Sequence, residues 1–216
     1  MQDPITQATI HFVKQMLENA EAGHDWWHIQ RVWTTTRLLL KTENADPLVC
    51  DLGALLHDIA DHKFFRKEER NGPELARAWL KEQKLDADRI EKVVDIIKNI
   101  SFKGGLASQA EKSPELQVVQ DADRLDALGA IGIARAFHYG GYKNRKIYDP
   151  EIKPVKYTSA EEYISSDAPT INHFYEKLLL LKDLMNTETG KRLAEERHIF
   201  MENFLDRFLK EWNGEN

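Results

Sequence analysis

Wherever the apolar residues of this sequence show a period, the period is that of a helix. Ile10, Val13, Met16 and Leu17 recur at intervals of three and four, the spacing that lines one side of an α-helix. A second stripe runs from about residue 25 to 42, with Trp26, Ile29, Trp33 and Leu40 available for packing. A third carries Leu48, Leu52, Leu55, Leu56 and Ile59. No strong run alternates apolar with polar residues, as a half-buried strand would. No internal repeat or low-complexity tract appears. The pattern therefore predicts an all-α helical bundle.

Local signals place the helix ends. Pro47 suits a first helical position. Asn71-Gly-Pro-Glu74 has the form of a helix start, and Asp86 is placed to cap the helix carrying Val93, Val94 and Ile97. Gly104-Gly105 stops any helix. Ser113-Pro114-Glu115 starts another, with Leu116, Val119, Leu125 and Leu128, and Gly129 and Gly132 are expected to break or bend it. From Gly140 to Thr158 the helical pattern lapses amid two glycines and two prolines. A connection of that length reads as a functional lid or a mobile loop. Ser159-Ala-Glu-Glu162 forms a capping box, and two long helices follow, near Thr170–Met185 and Thr187–Phe208. The expectation is one domain over residues 1–216, with a core at about 20–140, a lid at about 140–158 and C-terminal helices at about 159–213.

Composition narrows the function. A net charge of −6 argues against broad nucleic-acid binding, which shows a basic surface. The single cysteine, Cys50, forms no intrachain disulfide and suits a reducing cytoplasm. The start, MQDPITQATIHFVKQM, is too polar for a signal peptide, and no run reaches the roughly 18 apolar residues of a membrane span.

The chemistry gathers where polar groups interrupt apolar helix. Leu52 to Leu56 runs straight into His57-Asp58, with Asp61 about a turn later. Adjacent helix positions differ by about 100°, so His57 and Asp58 grip one ion only if it sits beside the helix and other helices close its far side. One source of ligands is GHDWWHIQRV, where His24, His28 and Arg31 share a helix face. Another is QDADRLDALGAIGIARAF, where Asp121, Asp123 and Asp126 crowd six residues of an apolar helix. Burying such acids is costly without a cation or donors, and a divalent metal supplies the charge. The ordered set His28, His57-Asp58, Asp123 offers two imidazoles and two carboxylates. This mixed set suits manganese, iron, nickel, cobalt or zinc better than calcium.

On these residues the chain resembles the HD-domain superfamily of metal-dependent phosphohydrolases, named for a spaced pattern of His, His-Asp and Asp on separate helices. His28, His57, Asp58 and Asp123 match that pattern one by one. The stretches HDWWHIQRVW, LLHDIADHKF, ISFKGG, DADRLDALGAIGIARAF and INHFYEKLLLLKDLMNTETGKRLAEERHIFMENF are similar to those of stand-alone bacterial HD hydrolases of about this length. The resemblance implies one divalent metal ion (Mn, Mg, Ni, Fe or Co, with Mn preferred). Some members hold a second metal with extra histidines; Ile97 to Ser101 offers none, so a mononuclear site is expected.

It also places an acid near the position of Asp61. That residue is expected to orient or deprotonate water, or else to pair with Lys63 or cap a helix end. Arg31, Lys103, Arg124 and Arg135 are candidate phosphate clamps, with Arg31 first because it shares a face with His28; Arg124 could instead neutralise Asp121 or a helix terminus. His24 and Asp126 are expected to position ligands or touch substrate. In the lid, Lys143, Arg145, Lys146, Lys153 and Lys156 interleave with Tyr142, Tyr148 and Tyr157. This arrangement could hold a polyphosphate while a ring stacks on a base, or could be a solvated loop. Trp26, Trp27, Trp33 and Trp79 are expected in the core, and Cys50 is expected to be inert. The expected activity is hydrolysis of a small nucleotide, with pyrophosphohydrolase preferred over 5′-nucleotidase, cyclic-nucleotide phosphodiesterase, guanosine-alarmone hydrolase or a non-catalytic sensor. Charge and the lack of a long apolar run lead to no long nucleic acid and no membrane being expected as partners, and a homodimer is left open.

Overall fold

The computed structural model describes residues 3–18, 25–59, 71–100, 112–157, 162 and 166–215. Among them every regular element is helical. The described residues fall into two compact units, one comprising residues 3–100 and 112–123 and the other residues 124–215. The all-α expectation holds. No helix among the described residues is long and apolar enough to cross a membrane.

The first unit is built on helices α1 (Pro4–Met16), α2 (Trp26–Leu39), α3 (Pro47–Leu56), α4 (Gly72–Glu82), α5 (Ala87–Asn99) and the start of α6 (Pro114–Asp126). Local chemistry sets their ends. Asp25 caps α2 by accepting the His28 N–H at 3.0 Å. Asp46 caps α3 by accepting from the N–H groups of Leu48 at 3.0 Å and Val49 at 3.3 Å. Asp86 caps α5 through the Arg89 N–H at 3.0 Å. Ser113 caps α6 through the Leu116 N–H at 3.1 Å. Asn71 precedes α4 without a side-chain cap bond.

Helix α3 is the axis of this unit. It packs against α1, α2 and α5, while α4 packs on α5. Every residue from Val49 to Leu56 is buried, as expected of a helix apolar nearly all round. Gly53 lets α5 come close, since a Cβ there would stand 2.7 Å from Ile96 Cδ1. Cys50 lies inside this packing. Burial, reinforced by Glu115, Asp46 and Asp51, pushes its thiol far above the ordinary range, which matches an inert role. Trp33 is buried, and Trp79 stacks on Phe12 at 4.2 Å while its indole donates to Thr9 Oγ1 at 3.0 Å. Trp27 departs from expectation: it is 61% exposed. It lies off the buried stripe of His28, Ile29, Val32 and Trp33, about 100° from its neighbour His28.

The second unit holds α7 (Gly129–Tyr142), α8 (Thr170–Glu176), a 3-10 helix (Leu178–Leu184) and α9 (Glu188–Trp212). Helix α7 packs on α8 and α9, and the 3-10 helix also packs on both. Gly129 has φ +70°, the left-handed region that favours glycine, and it separates α7 from α6. Two sequence expectations are corrected here. The helix does not lapse at Gly140 but runs to Tyr142. Gly140 is small because a Cβ would lie 2.1 Å from Thr170 Oγ1, so it permits close approach to α8. The helix expected over Thr170–Met185 is split, because Lys177 leaves the helical region at φ −143°, ψ −57°. After it, Leu178 and Leu181 are buried and Leu180 is exposed, matching the three-residue repeat of a 3-10 helix.

Residues 143–157 are fastened to α8. The carbonyls of Lys146 and Ile147 accept from the N–H groups of Thr170 and Ile171 at 2.9 and 3.0 Å. Asn172 Nδ2 donates to the Ile152 carbonyl at 3.0 Å, and Tyr157 donates to Glu176 at 3.0 Å. Thr158 and the capping box at Ser159–Glu161 lie outside the described residues, apart from Glu162.

Candidate metal centre

Three helices of the first unit bring their polar interruptions together. His28 stands in the first turn of α2, His57 and Asp58 follow the end of α3, and Asp123 lies in the last turn of α6. His28 Nε2 is 3.2 Å from His57 Nε2, 3.6 Å from Asp123 Oδ1 and 4.0 Å from Asp58 Oδ2. His57 Nε2 is 3.9 Å from Asp123 Oδ1. His28, His57 and Asp58 form a group whose ligand atoms all lie within 4.8 Å of one another.

These separations fit a metal. Atoms about 2.1 Å from one ion lie roughly 3.0 Å apart when adjacent in an octahedron and about 4.2 Å apart when opposite. The observed range of 3.2 to 4.0 Å falls between those limits. The histidine–carboxylate distances are too long for hydrogen bonds, yet suit four atoms facing one centre. The two carboxylates carry two negative charges, which one divalent cation would cancel.

The backbone sets the tautomer of His57. Its Nδ1 lies 2.8 Å from the Ala54 carbonyl oxygen, which only accepts, so Nδ1 carries the proton and donates. The lone pair of the neutral ring is then on Nε2, facing His28. A carbonyl behind a ligating histidine is the usual support of such a ring. The side chains of His28 and His57 are 2% and 4% exposed, Asp58 is 11% and Asp123 is 30%. The cluster is therefore dry at the histidines and opens toward Asp123.

Of the other site candidates, His24, Asp61 and Lys103 lie outside the described residues. Arg31 is half-buried on α2, three residues beyond His28. Arg124 is buried, and its guanidinium donates to the Leu184 carbonyl at the end of the 3-10 helix; this is the helix-terminus alternative. Arg135 and Asp126, considered separately in the sequence, form an ion pair with each other. Lys143 Nζ lies over the rings of Tyr142 and Tyr139, 5.3 and 5.7 Å from their centroids. Arg145 lies 5.7 Å from the Tyr139 centroid and donates to the Ser166 carbonyl. Tyr142 is half exposed beside this cationic pair. Sequence reasoning passed over Asp51, the one acid within PLVCDLGALL. Its signal was present, because a carboxylate in an otherwise apolar helix requires donors.

The HD domain family matches residues 26–128. A Lactobacillus plantarum protein of known structure is 38% identical, with TM-score 0.86, covering 100% of both chains. An HD-superfamily hydrolase from Bacillus thuringiensis is 44% identical, with TM-score 0.76, covering 96% of each chain. Bacillus subtilis YpgQ is 36% identical over 94% of this chain and 91% of its own length. Its crystal structure in complex with ADP matches with TM-score 0.73 at 32% identity, over 95% of this chain and 96% of that one.

Proposed function

Because the chain belongs to the HD-domain superfamily of metal-dependent phosphohydrolases, we propose that it is a nucleotide pyrophosphohydrolase that converts a nucleoside triphosphate and water to a monophosphate and pyrophosphate. The observation that carries the reading is the convergence of His28, His57, Asp58 and Asp123 at 3.2 to 4.0 Å. We assign these four as ligands of one divalent ion; their mixed nitrogen and oxygen donors suit a first-row transition metal better than calcium, and manganese is preferred among these on the family resemblance. The ADP bound by YpgQ supports a nucleotide as the substrate class.

Held by His28, His57, Asp58 and Asp123, a divalent ion would supply Lewis acidity, making water more acidic and polarising a phosphoryl oxygen. The protein supplies the rest. His57, fixed by the Ala54 carbonyl, keeps its ring aimed at the centre. Asp61 orients the attacking water and takes its proton. An oxygen–phosphorus bond forms at the α-phosphorus as the bridging bond to the β-phosphate breaks, and pyrophosphate leaves. Arg31, on the face of α2 that bears His28, holds phosphate oxygens. Within the second unit, Lys143 and Arg145 cluster with Tyr139 and Tyr142, a combination suited to polyphosphate charge and a base.

The test supplies manganese and a panel of ribo- and deoxyribonucleoside triphosphates and resolves the phosphorus products. Wild type should release pyrophosphate and Asp58→Ala should not. Orthophosphate from monophosphates, or opening of cyclic nucleotides, without pyrophosphate from any triphosphate would replace the proposal with a 5′-nucleotidase or a phosphodiesterase.

A further inference from the structure

The four proposed ligands meet only if α2 and α3 keep one register, and apolar packing alone is a poor guarantor of register because it has no direction. Asp51 supplies direction. It sits in the middle of α3 and is 6% exposed. Its Oδ1 accepts from Trp33 Nε1 at 2.7 Å and from Arg37 Nε at 3.0 Å, and its Oδ2 accepts from an Arg37 terminal nitrogen at 2.8 Å. The Arg37 guanidinium also lies over the Trp33 ring, 4.6 Å from its centroid. One carboxylate therefore binds two successive turns of α2, and the paired nitrogens of arginine fix its angle as well as its distance.

The two helices run antiparallel here, since Arg37 meets Asp51 while His28 meets His57 and Asp58. At about 1.5 Å per residue, Asp51 stands roughly 10 Å along α3 from Asp58, and Arg37 stands about 13 Å along α2 from His28. A slip of one residue would move His57 and Asp58 by about 1.5 Å relative to His28. Metal–ligand distances tolerate about 0.2 Å.

We propose that Asp51, through Trp33 and Arg37, is a positioning residue that sets the affinity of the metal centre without touching the metal. The inference rests on the metal reading above, so the experiment tests both separately. Manganese binding to the metal-free protein is measured by calorimetry for wild type, His57→Ala, Asp51→Asn, Arg37→Lys and Leu80→Ala. Leu80 is a fully buried residue of α4 and its truncation controls for lost stability. Asp51→Asn, folded by circular dichroism, should bind manganese roughly 10-fold more weakly, the lower end of what losing a direct partner of a ligand costs, because Asp51 acts through Trp33 and Arg37. Arg37→Lys keeps the charge, loses the fork and should weaken binding several-fold, which retains the test if Asp51→Asn does not fold. Leu80→Ala should bind within twofold of wild type while melting earlier. Wild-type affinity in Asp51→Asn or Arg37→Lys, or an equal loss in Leu80→Ala, overturns the positioning role alone. Equal binding by wild type and His57→Ala overturns the metal site, and the positioning role with it.

Discussion

Replacing His57 by alanine tests the metal centre without reference to any substrate. The substitution removes one of the two proposed nitrogen ligands, the one whose Nε2 lies 3.2 Å from His28 Nε2. It also removes the Nδ1–H bond to the Ala54 carbonyl, a net loss of about 1 kcal/mol, so the metal-free variant should already melt earlier. The informative quantity is the increment added by metal. A ligand that binds only the folded state stabilises by RT ln(1 + [L]/Kd), about 2.7 kcal/mol at a concentration 100-fold above Kd. In a protein of 216 residues, 1 kcal/mol moves Tm by roughly 2–4 °C, so manganese at that concentration should raise the wild-type Tm by about 5–11 °C. Losing one of four ligands should weaken binding at least about 100-fold, which brings the same concentration to the variant's Kd. The increment then falls to about 0.4 kcal/mol, or roughly 1–2 °C. Scanning calorimetry against manganese concentration, with a chelator blank, gives both numbers. Equal increments in the two proteins would refute the assignment of His57 as a ligand.

Two further predictions concern the scaffold. Burial alone would raise the Asp46 carboxyl, but hydrogen bonds from Arg89 and from the Val49 and Leu48 amides outweigh it and hold it below its usual range. Asp46→Ala should cost about 1–3 kcal/mol, mostly the helix cap, since Arg89 is partly exposed. Because the folded value is the lower one, this contribution is complete above the unfolded value near 3.8 and fades as pH falls through the folded one. The gap between wild type and Asp46→Ala in urea titrations should therefore narrow below about pH 4 and stay constant from pH 5 to 7. The glycine pair in α7 should separate in thermal melts. Gly140→Ala meets Thr170 Oγ1 at 2.1 Å and should lose about 1–3 kcal/mol. Gly141→Ala finds nothing within 4 Å and should gain up to about 1 kcal/mol; the reverse order would refute the close-approach account.

The legible parts of the sequence are those whose cause is local. Asp86 and Ser113 cap because an acid or hydroxyl beside a free amide needs no distant partner, and Pro47 opens α3 for the same reason. His57 and Asp58 stood out because five apolar residues precede them. Their grouping with His28 and Asp123 is read from polar interruptions of apolar helix and then matched by the resemblance, since no spacing along one chain by itself fixes a contact across helices. Asp51 shows the limit. The acid was visible, but Trp33 and Arg37, its donors, sit on the preceding helix. The tract Leu178–Leu181 misled because consecutive leucines have no period of their own, leaving the choice between α and 3-10 to which of them find cover. Gly140 misled because a glycine that ends a helix and one that admits a neighbour are spelled alike.

Helix α3 has a consequence for descent as well as for folding. Val49 through Leu56 is sealed on every side, so almost any exchange there creates a void, a clash or a stranded charge. Exchanges on the outer faces of α9 or α4 meet solvent and cost far less than exchanges in this segment. Because α3 ends at His57 and Asp58, the turn that carries these two proposed ligands inherits that constraint. New substrate preferences among descendants would have to arise from the helices and connections around it, with the centre itself carried along unchanged.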